Sequence, residues 1–279
     1  MFAPSAQGVS KNEIDAELAR LESEFPDPAR FTACWLGGPQ ESLGEFADHV
    51  QRLLEQLPTL HPVFRGLHLI GDSKRDSPVL AEDLSNLRSW VMRRSWCEGV
   101  STNSPYSHLE NDGSLTPQST GKMGFSIDLG NLKPPRDELR LSVSGGSPIG
   151  GSVSMSLPPK LVDHLGSVQF VKQLLVAIMG IWPIRCAFTT TRAWHNTVNP
   201  NFGDWETLPI GGITFSSDGT LVEALPSGTA WEPFGKGGLL INVTERPDHL
   251  ETEATAAAIA VRESLAAHDM IRLMDSNAS

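Results

Sequence analysis

The sequence predicts an α+β fold in which a mixed, largely antiparallel sheet packs against several helices within a single compact domain. Three observations favour this class. Strand and helix patterns alternate at first, three strand patterns then follow one another directly, and one strongly periodic apolar helix leads into a β-branched strand. A doubly wound parallel sheet would need a helix between successive strands.

Residues 1–29 are predicted to form a helical N-terminal extension, and residues 30–279 the α+β domain. Within the extension, Ser10 to Glu13 has the form of a capping box. A boundary between two sub-lobes, if the domain has one, is expected near residues 145–160, where glycines interrupt the strand patterns.

The domain opens with a predicted strand, a helix and a second strand. Alternation predicts a strand over residues 31–36, and Ser42 is placed to cap a helix that Pro58 and Pro62 should end. Residues 63–70 predict the second strand, and residues 80–96 an amphipathic helix. The polar segment 99–120 predicts a long surface loop. The apolar face of the first helix is Phe46, Val50, Leu53, Leu54 and Leu57.

A meander of three strands should follow, over residues 123–129, 139–144 and 152–157. The most periodic stretch of the chain then predicts one helix over residues 161–182, which Pro183 ends. Its uncharged part is much shorter than the roughly 20 residues needed to cross a bilayer. The remaining predicted elements are strands over 184–191, 213–215 and 239–243, a loop over 194–208 and a C-terminal helix over 251–274.

The formal net charge of −11 argues against nucleic acid as a direct partner. A phosphate backbone requires Lys and Arg, and adjacent basic residues occur only as the pairs Lys74-Arg75 and Arg93-Arg94. An acidic surface suits a basic partner, such as an enzyme that grips DNA or RNA, although net negative charge also serves solubility alone.

Cysteine usage and the N-terminus indicate a cytoplasmic protein. Cys34, Cys97 and Cys186 are far apart, with no spacing typical of a disulfide framework or a zinc site. Cys34 and Cys186 fall in predicted strands, where they would be small buried hydrophobic residues. The first eight residues contain neither the charged nor the apolar region of a signal peptide.

Catalytic motifs are scarce, so we expect no enzyme, cofactor or metal. One alternative is a metal-dependent nuclease or hydrolase, because Asp128 ends a strand and Glu138-Leu139-Arg140 opens the next, as carboxylates that hold Mg²⁺ can do. His195, in a polar predicted loop, would be its third candidate.

Surface aromatic and acidic residues define the predicted partner-binding site. Trp194 and Trp205 lie in a predicted loop, where an indole can anchor a partner, although each could instead cover the core. They would also serve a non-enzymatic adaptor or scaffold, a further alternative. The acidic candidates, each of which could equally be ordinary solvated surface, are Asp72, Asp76, Glu82, Asp83, Asp204 and Glu206.

Four segments together resemble the immunity protein 52 family of bacterial polymorphic toxin systems. Trp35-Leu36-Gly37 ends the first strand and is followed by an acidic helix over residues 41–57. The glycine-rich segments 209–215 and 237–244 follow near the end, and the resemblance covers Arg30 to the final helix. It implies an α+β immunity protein without enzymatic activity. Such a protein would neutralise a secreted, restriction-endonuclease-like nuclease toxin of a type VI or related secretion system.

Overall fold

Nine antiparallel strands form one sheet in the computed structural model, which describes residues 28–37, 40–71, 74–94, 116–120, 124–132, 138–158, 161–200 and 207–271. In chain order they are β1 (Ala29–Leu36), β2 (His68–Leu69), β3 (Phe125–Gly130), β4 (Arg140–Ser147), β5 (Gly150–Leu157), β6 (Cys186–Thr190), β7 (Ile213–Ser216), β8 (Trp231–Phe234) and β9 (Gly238–Asn242). Across the sheet the order is β2-β3-β4-β5-β1-β6-β7-β9-β8. The first strand of the chain therefore lies at the centre.

Helices cover both faces of this sheet, and the predicted α+β class is confirmed. The helices among the described residues are α1 (Leu43–Leu60), α2 (Leu87–Arg94), α3 (Val162–Leu165), α4 (Val168–Met179), α5 (Arg192–Val198) and α6 (Thr252–Ala267). One face of the sheet packs against α1 and α4. The other face packs against α5 and α6 over the half formed by β6 to β9.

Alternation along β1 sets up the two cores. Phe31, Ala33 and Trp35 point to the core shared with α1 and α4, whereas Cys34 points to the core shared with α5 and α6. On the β4 to β1 half of this second face the side chains carry hydroxyls, and Thr32 Oγ1 lies 3.2 Å from Ser154 Oγ. A solvated face of this type is usual for an antiparallel sheet.

The predicted start of α1 is confirmed, and of the two prolines predicted to end the helix only Pro62 lies beyond its last residue. Ser42 N–H donates to Glu45 Oε2 at 2.8 Å, and Glu45 N–H donates to Ser42 Oγ at 3.3 Å, which completes a capping box. The helix nevertheless continues through Pro58 to Leu60. Proline here removes one hydrogen bond in the last turn only, and the fully buried Leu57 keeps that turn packed on the sheet.

Residues 62–86 contain less regular structure than the sequence predicts. The strand expected over 63–70 is a 3₁₀ helix at Pro62–Phe64 and the two-residue β2. The helix expected from residue 80 begins at Leu87, because Leu84 has a φ of 56° and cannot continue an α-helix.

The predicted meander β3-β4-β5 is confirmed, and the predicted helix over 161–182 divides into α3 and α4. The division falls at Gly166 and Ser167, where Ser167 Oγ accepts a hydrogen bond from Phe170 N–H at 3.3 Å and caps α4. The C-terminal helix spans Thr252–Ala267, and β8 was not predicted. No helix in the described part of the chain is both long and apolar enough to cross a membrane. The predicted N-terminal helix lies outside the described residues.

Candidate functional site

Three of the predicted acidic residues lie on a loop at one end of the sheet, beside β2. Asp76 ends a 3₁₀ helix, Lys74–Asp76, and Glu82 and Asp83 form a turn a few residues later, all with exposed side chains. Between them Val79 is 54% exposed, while its backbone pairs with His68 of β2. Three carboxylates thus lie within a few residues of an exposed apolar side chain, after the basic pair Lys74-Arg75, and we call residues 76–86 the acidic loop.

Side-chain hydrogen bonds hold the acidic loop in one shape. Asn86 donates from Nδ2 to Val79 O at 2.8 Å and accepts from Ala81 N–H at 2.9 Å. Hydrogen bonds from the hydroxyl and the backbone N–H of Ser85 lower the pKa of Asp83. The loop thus presents its carboxylates on a preformed surface, with Asp83 ionised at neutral pH.

Trp194 does not belong to a binding surface, and that prediction is wrong. The residue lies on α5, in a segment predicted to be a loop, and Thr191 Oγ1 caps this helix by accepting from Trp194 N–H at 3.1 Å. The indole is 0% exposed, and its Nε1 donates to Ile210 O at 3.2 Å. Trp231 on β8, by contrast, is 45% exposed. The other predicted residues, Asp72, Asp204, Trp205 and Glu206, lie outside the described residues.

Asp128 and Glu138, the pair considered for a nuclease, are not brought together. Asp128 on β3 is the direct partner of Ser142 on β4. Its carboxylate accepts from Arg140 Nη2 at 3.1 Å and from Ser142 Oγ. Glu138 lies four residues before Ser142, or roughly 13 Å along an extended strand. The described residues contain no group of three His, Cys, Asp or Glu side chains arranged to hold a metal ion.

His195, the third candidate of that alternative, lies on α5 and lines a cavity of about 480 Å³. The cavity opens between the hydroxyl-bearing side chains of β1 and β5 and the first turn of α5. Burial lowers the pKa of His195 below its ordinary value of 6.5, because the apolar surroundings disfavour the charged imidazolium.

The lowered pKa of His195 makes stability sensitive to acid. The unfolded chain takes up a proton near pH 6.5, before the folded protein does, so stability falls as pH drops through 6.5. His195→Gln should therefore weaken the decline of the melting temperature between pH 7.5 and pH 5, measured by circular dichroism. His268→Gln, at an exposed histidine, is the matched control. A steeper decline in His195→Gln would contradict the assigned sign.

A partly buried carboxylate at Glu41, which sequence reasoning did not single out, contacts three other parts of the fold. Its Oε1 accepts from Trp182 Nε1 at 3.1 Å and from His49 Nδ1, and its Oε2 accepts from Gly146 N–H at 2.8 Å. Trp182 follows α4, His49 belongs to α1 and Gly146 lies at the end of β4. We call Glu41, His49, Trp182 and Trp35 the Glu41 cluster.

The two indoles of the Glu41 cluster are stacked. The ring centroids of Trp35 and Trp182 are 4.9 Å apart with an interplanar angle of 11°, and the His49 ring meets Trp182 edge-on at 5.7 Å. A small cavity of about 190 Å³ opens beside them. One member of this cluster, Trp35, was already noted in the sequence as part of the motif Trp35-Leu36-Gly37. Nothing in that motif indicates that Trp35 stacks on Trp182 or lies near Glu41.

Comparisons with known proteins show a shared fold. No family model matches the sequence and no curated protein matches it, so the resemblance to the immunity protein 52 family remains a prediction. Among solved structures, the chain is similar to "Pseudomonas aeruginosa T6SS protein PA0821", with a TM-score of 0.50 and 12% identity. The similarity covers 94% of this chain and 84% of that one. At this identity it shows that the two chains have the same arrangement of elements.

Proposed function

We propose that this protein is an immunity protein of a type VI secretion system that binds and neutralises a cognate nuclease-type toxin in the cytoplasm. The observation that carries the proposal is the similarity in fold, over nearly the whole chain, to a protein described as a T6SS protein. The resemblance of the segments around Trp35 and Gly211 to the immunity protein 52 family supports the same class.

The charge of the chain supports a basic partner. A toxin that cleaves DNA must present Lys and Arg to the phosphate backbone. An inhibitor with a net charge of −11 attracts such a surface at long range and raises the rate of encounter. Inhibition by binding also requires no catalytic group on the inhibitor.

The acidic loop is the part of the described surface that best fits this partner. Protein interfaces combine an apolar centre with a polar rim, and Val79 with Asp76, Glu82 and Asp83 provides both. Asn86 holds the loop in place, which lowers the entropy lost when a partner binds.

Co-expression tests the proposal directly. The protein would be produced in a bacterium together with the candidate toxin encoded beside its gene, with a catalytically dead toxin as the control for expression burden. We expect survival and co-purification of the two chains. Cell death despite abundant folded protein, with no complex on a sizing column, would refute immunity against that toxin.

Reversing two charges on the acidic loop should slow association with the toxin. The double variant Asp76→Lys/Glu82→Lys raises the net charge by four units, and we expect the association rate to fall by about tenfold or more at low salt. Glu253→Lys/Glu263→Lys on α6 changes the net charge equally and is the matched control. Biolayer interferometry at two salt concentrations measures both. Equal losses in the two variants would assign the effect to overall charge and exclude the acidic loop.

A further inference from the structure

Two cysteines lie side by side on adjacent strands at the centre of the sheet. Cys34 on β1 and Cys186 at the start of β6 are direct partners in the antiparallel register. Both side chains point to the face covered by α5 and α6, and they belong to the same apolar cluster. Their thiols lie close enough for each to shift the pKa of the other.

This register places the two Cα atoms at a separation that a disulfide can bridge. Direct partners in an antiparallel pair have Cα atoms about 4.5 to 5.5 Å apart. Disulfides join residues whose Cα atoms are about 4.4 to 6.8 Å apart. The sequence alone does not predict this contact, because about 150 residues separate the two cysteines along the chain.

Small molecules can reach the pair. Cys34 and Cys186 both line the cavity of about 480 Å³ beside His195, which is far larger than a hydrogen peroxide molecule. Cys34 retains 7% exposure, compared with 1% for Cys186. The cavity therefore offers an oxidant the more accessible Cys34 sulfur, with the Cys186 sulfur beside it on the neighbouring strand.

We propose that Cys34 and Cys186 are a redox modification site, at which hydrogen peroxide entering the cavity forms a reversible disulfide within the chain. The Cys34 thiolate attacks one peroxide oxygen, so that an S–O bond forms, the O–O bond breaks and hydroxide leaves. Cys186 sulfur, after giving its proton to hydroxide, attacks the Cys34 sulfenic acid. The S–S bond forms, the S–O bond breaks, and the second hydroxide leaves as water after protonation.

The overall change is balanced. Two thiols and one peroxide give one disulfide and two waters, and the protein loses two electrons and two protons. A small-molecule thiol reverses the step by exchange, since it is itself oxidised to its disulfide.

The environment assigns different roles to the two sulfurs. Cys34 is the more exposed of the two residues, and the neighbouring Cys186 thiol lowers the pKa of Cys34 by stabilising its thiolate. The neighbouring Cys34 sulfur and burial raise the pKa of Cys186. We therefore assign Cys34 as the sulfur that reacts with peroxide and Cys186 as the sulfur that resolves the sulfenic acid.

Intact-mass spectrometry tests the site in the full-length chain. A Cys97→Ser background leaves this pair as the only cysteines. The folded protein would be treated with dilute hydrogen peroxide, unfolded, and alkylated with N-ethylmaleimide. We expect a product about 2 Da lighter that takes up no label, and recovery of two labelled thiols after dithiothreitol. Peptide mapping without reductant should show the Cys34 and Cys186 peptides joined.

Two single variants test the roles. With Cys186→Ser, the sulfenic acid at Cys34 should persist and be trapped by dimedone, whereas with Cys34→Ser, Cys186 should react at least about tenfold more slowly. Two thiols that remain fully labelled after peroxide would overturn the proposal. A mass increase from added oxygen without a disulfide would also overturn it, as would a disulfide that joins two chains. The result does not depend on toxin binding, so it stands or fails independently of the immunity function.

Discussion

Replacing Trp194 by alanine should lower the free energy of unfolding by about 4 kcal/mol, because the largest fully buried side chain of the second core is removed. The cavity left behind lies between α5 and the sheet. The substitution also leaves Ile210 O with one remaining side-chain donor, Asn199 Nδ2 at 3.0 Å, where it had two. Urea unfolding followed by circular dichroism measures the change as a lower midpoint at constant slope.

Two further variants test whether Trp194 acts through packing in the core or through contact with the toxin. Trp231→Ala removes an indole that is 45% exposed and should cost about 1 kcal/mol or less. Trp194→Phe keeps most of the volume and loses the hydrogen bond, so it should cost about 1 to 2 kcal/mol and leave toxin binding unchanged. A stable Trp194→Ala protein that fails to bind the toxin would restore Trp194 as a surface anchor and contradict its burial.

The second large effect is expected at Glu41. Glu41→Ala leaves the N–H groups of Trp182 and Gly146 without their acceptor, and both residues are buried. Hydrogen bonds to a charged group contribute about 1.5 to 3 kcal/mol, and buried donors left unpaired are costly. We expect a loss of about 3 kcal/mol in urea unfolding. Glu55→Ala, at an exposed glutamate of α1, is the matched control and should change stability by less than about 0.5 kcal/mol.

A double-mutant cycle measures the central contact of the Glu41 cluster. Trp182→Phe preserves an aromatic ring against Trp35 but removes the N–H donor. Combined with Glu41→Ala, which removes the acceptor, it should show a coupling free energy of about 1 kcal/mol. Additive losses in the double variant would mean that the Trp182 to Glu41 hydrogen bond contributes nothing of its own to stability.

We expect residues that stabilise the fold and residues that bind the toxin to lie in different parts of the molecule. Trp194 and the Glu41 cluster hold helices to the two faces of the sheet, so variants there should alter unfolding. The acidic loop lies at the edge beside β2, so charge changes there should alter association with little effect on stability. Measuring stability and binding for every variant keeps the two effects apart.

Local patterns in the sequence were enough for much of the fold. The capping box at Ser42, the alternation of β1 and the meander β3-β4-β5 each depend on residues within a few positions of one another, and all three are present in the structure. Charge likewise follows from composition, and the exposed carboxylates at Asp76, Glu82 and Asp83 agree with it.

Only the tertiary structure decided which polar and aromatic residues lie inside and which partners they meet. A tryptophan in a polar segment is read as exposed unless the segment packs on a core, and α5 buries Trp194 by doing so. Glu41 and Trp182 are 141 residues apart, and Cys34 and Cys186 are similarly distant, so no spacing rule connects them. The sequence by itself determined the α+β class, the caps and the acidity. Contacts between distant residues depend on how the strands are ordered across the sheet, which local periodicity does not encode.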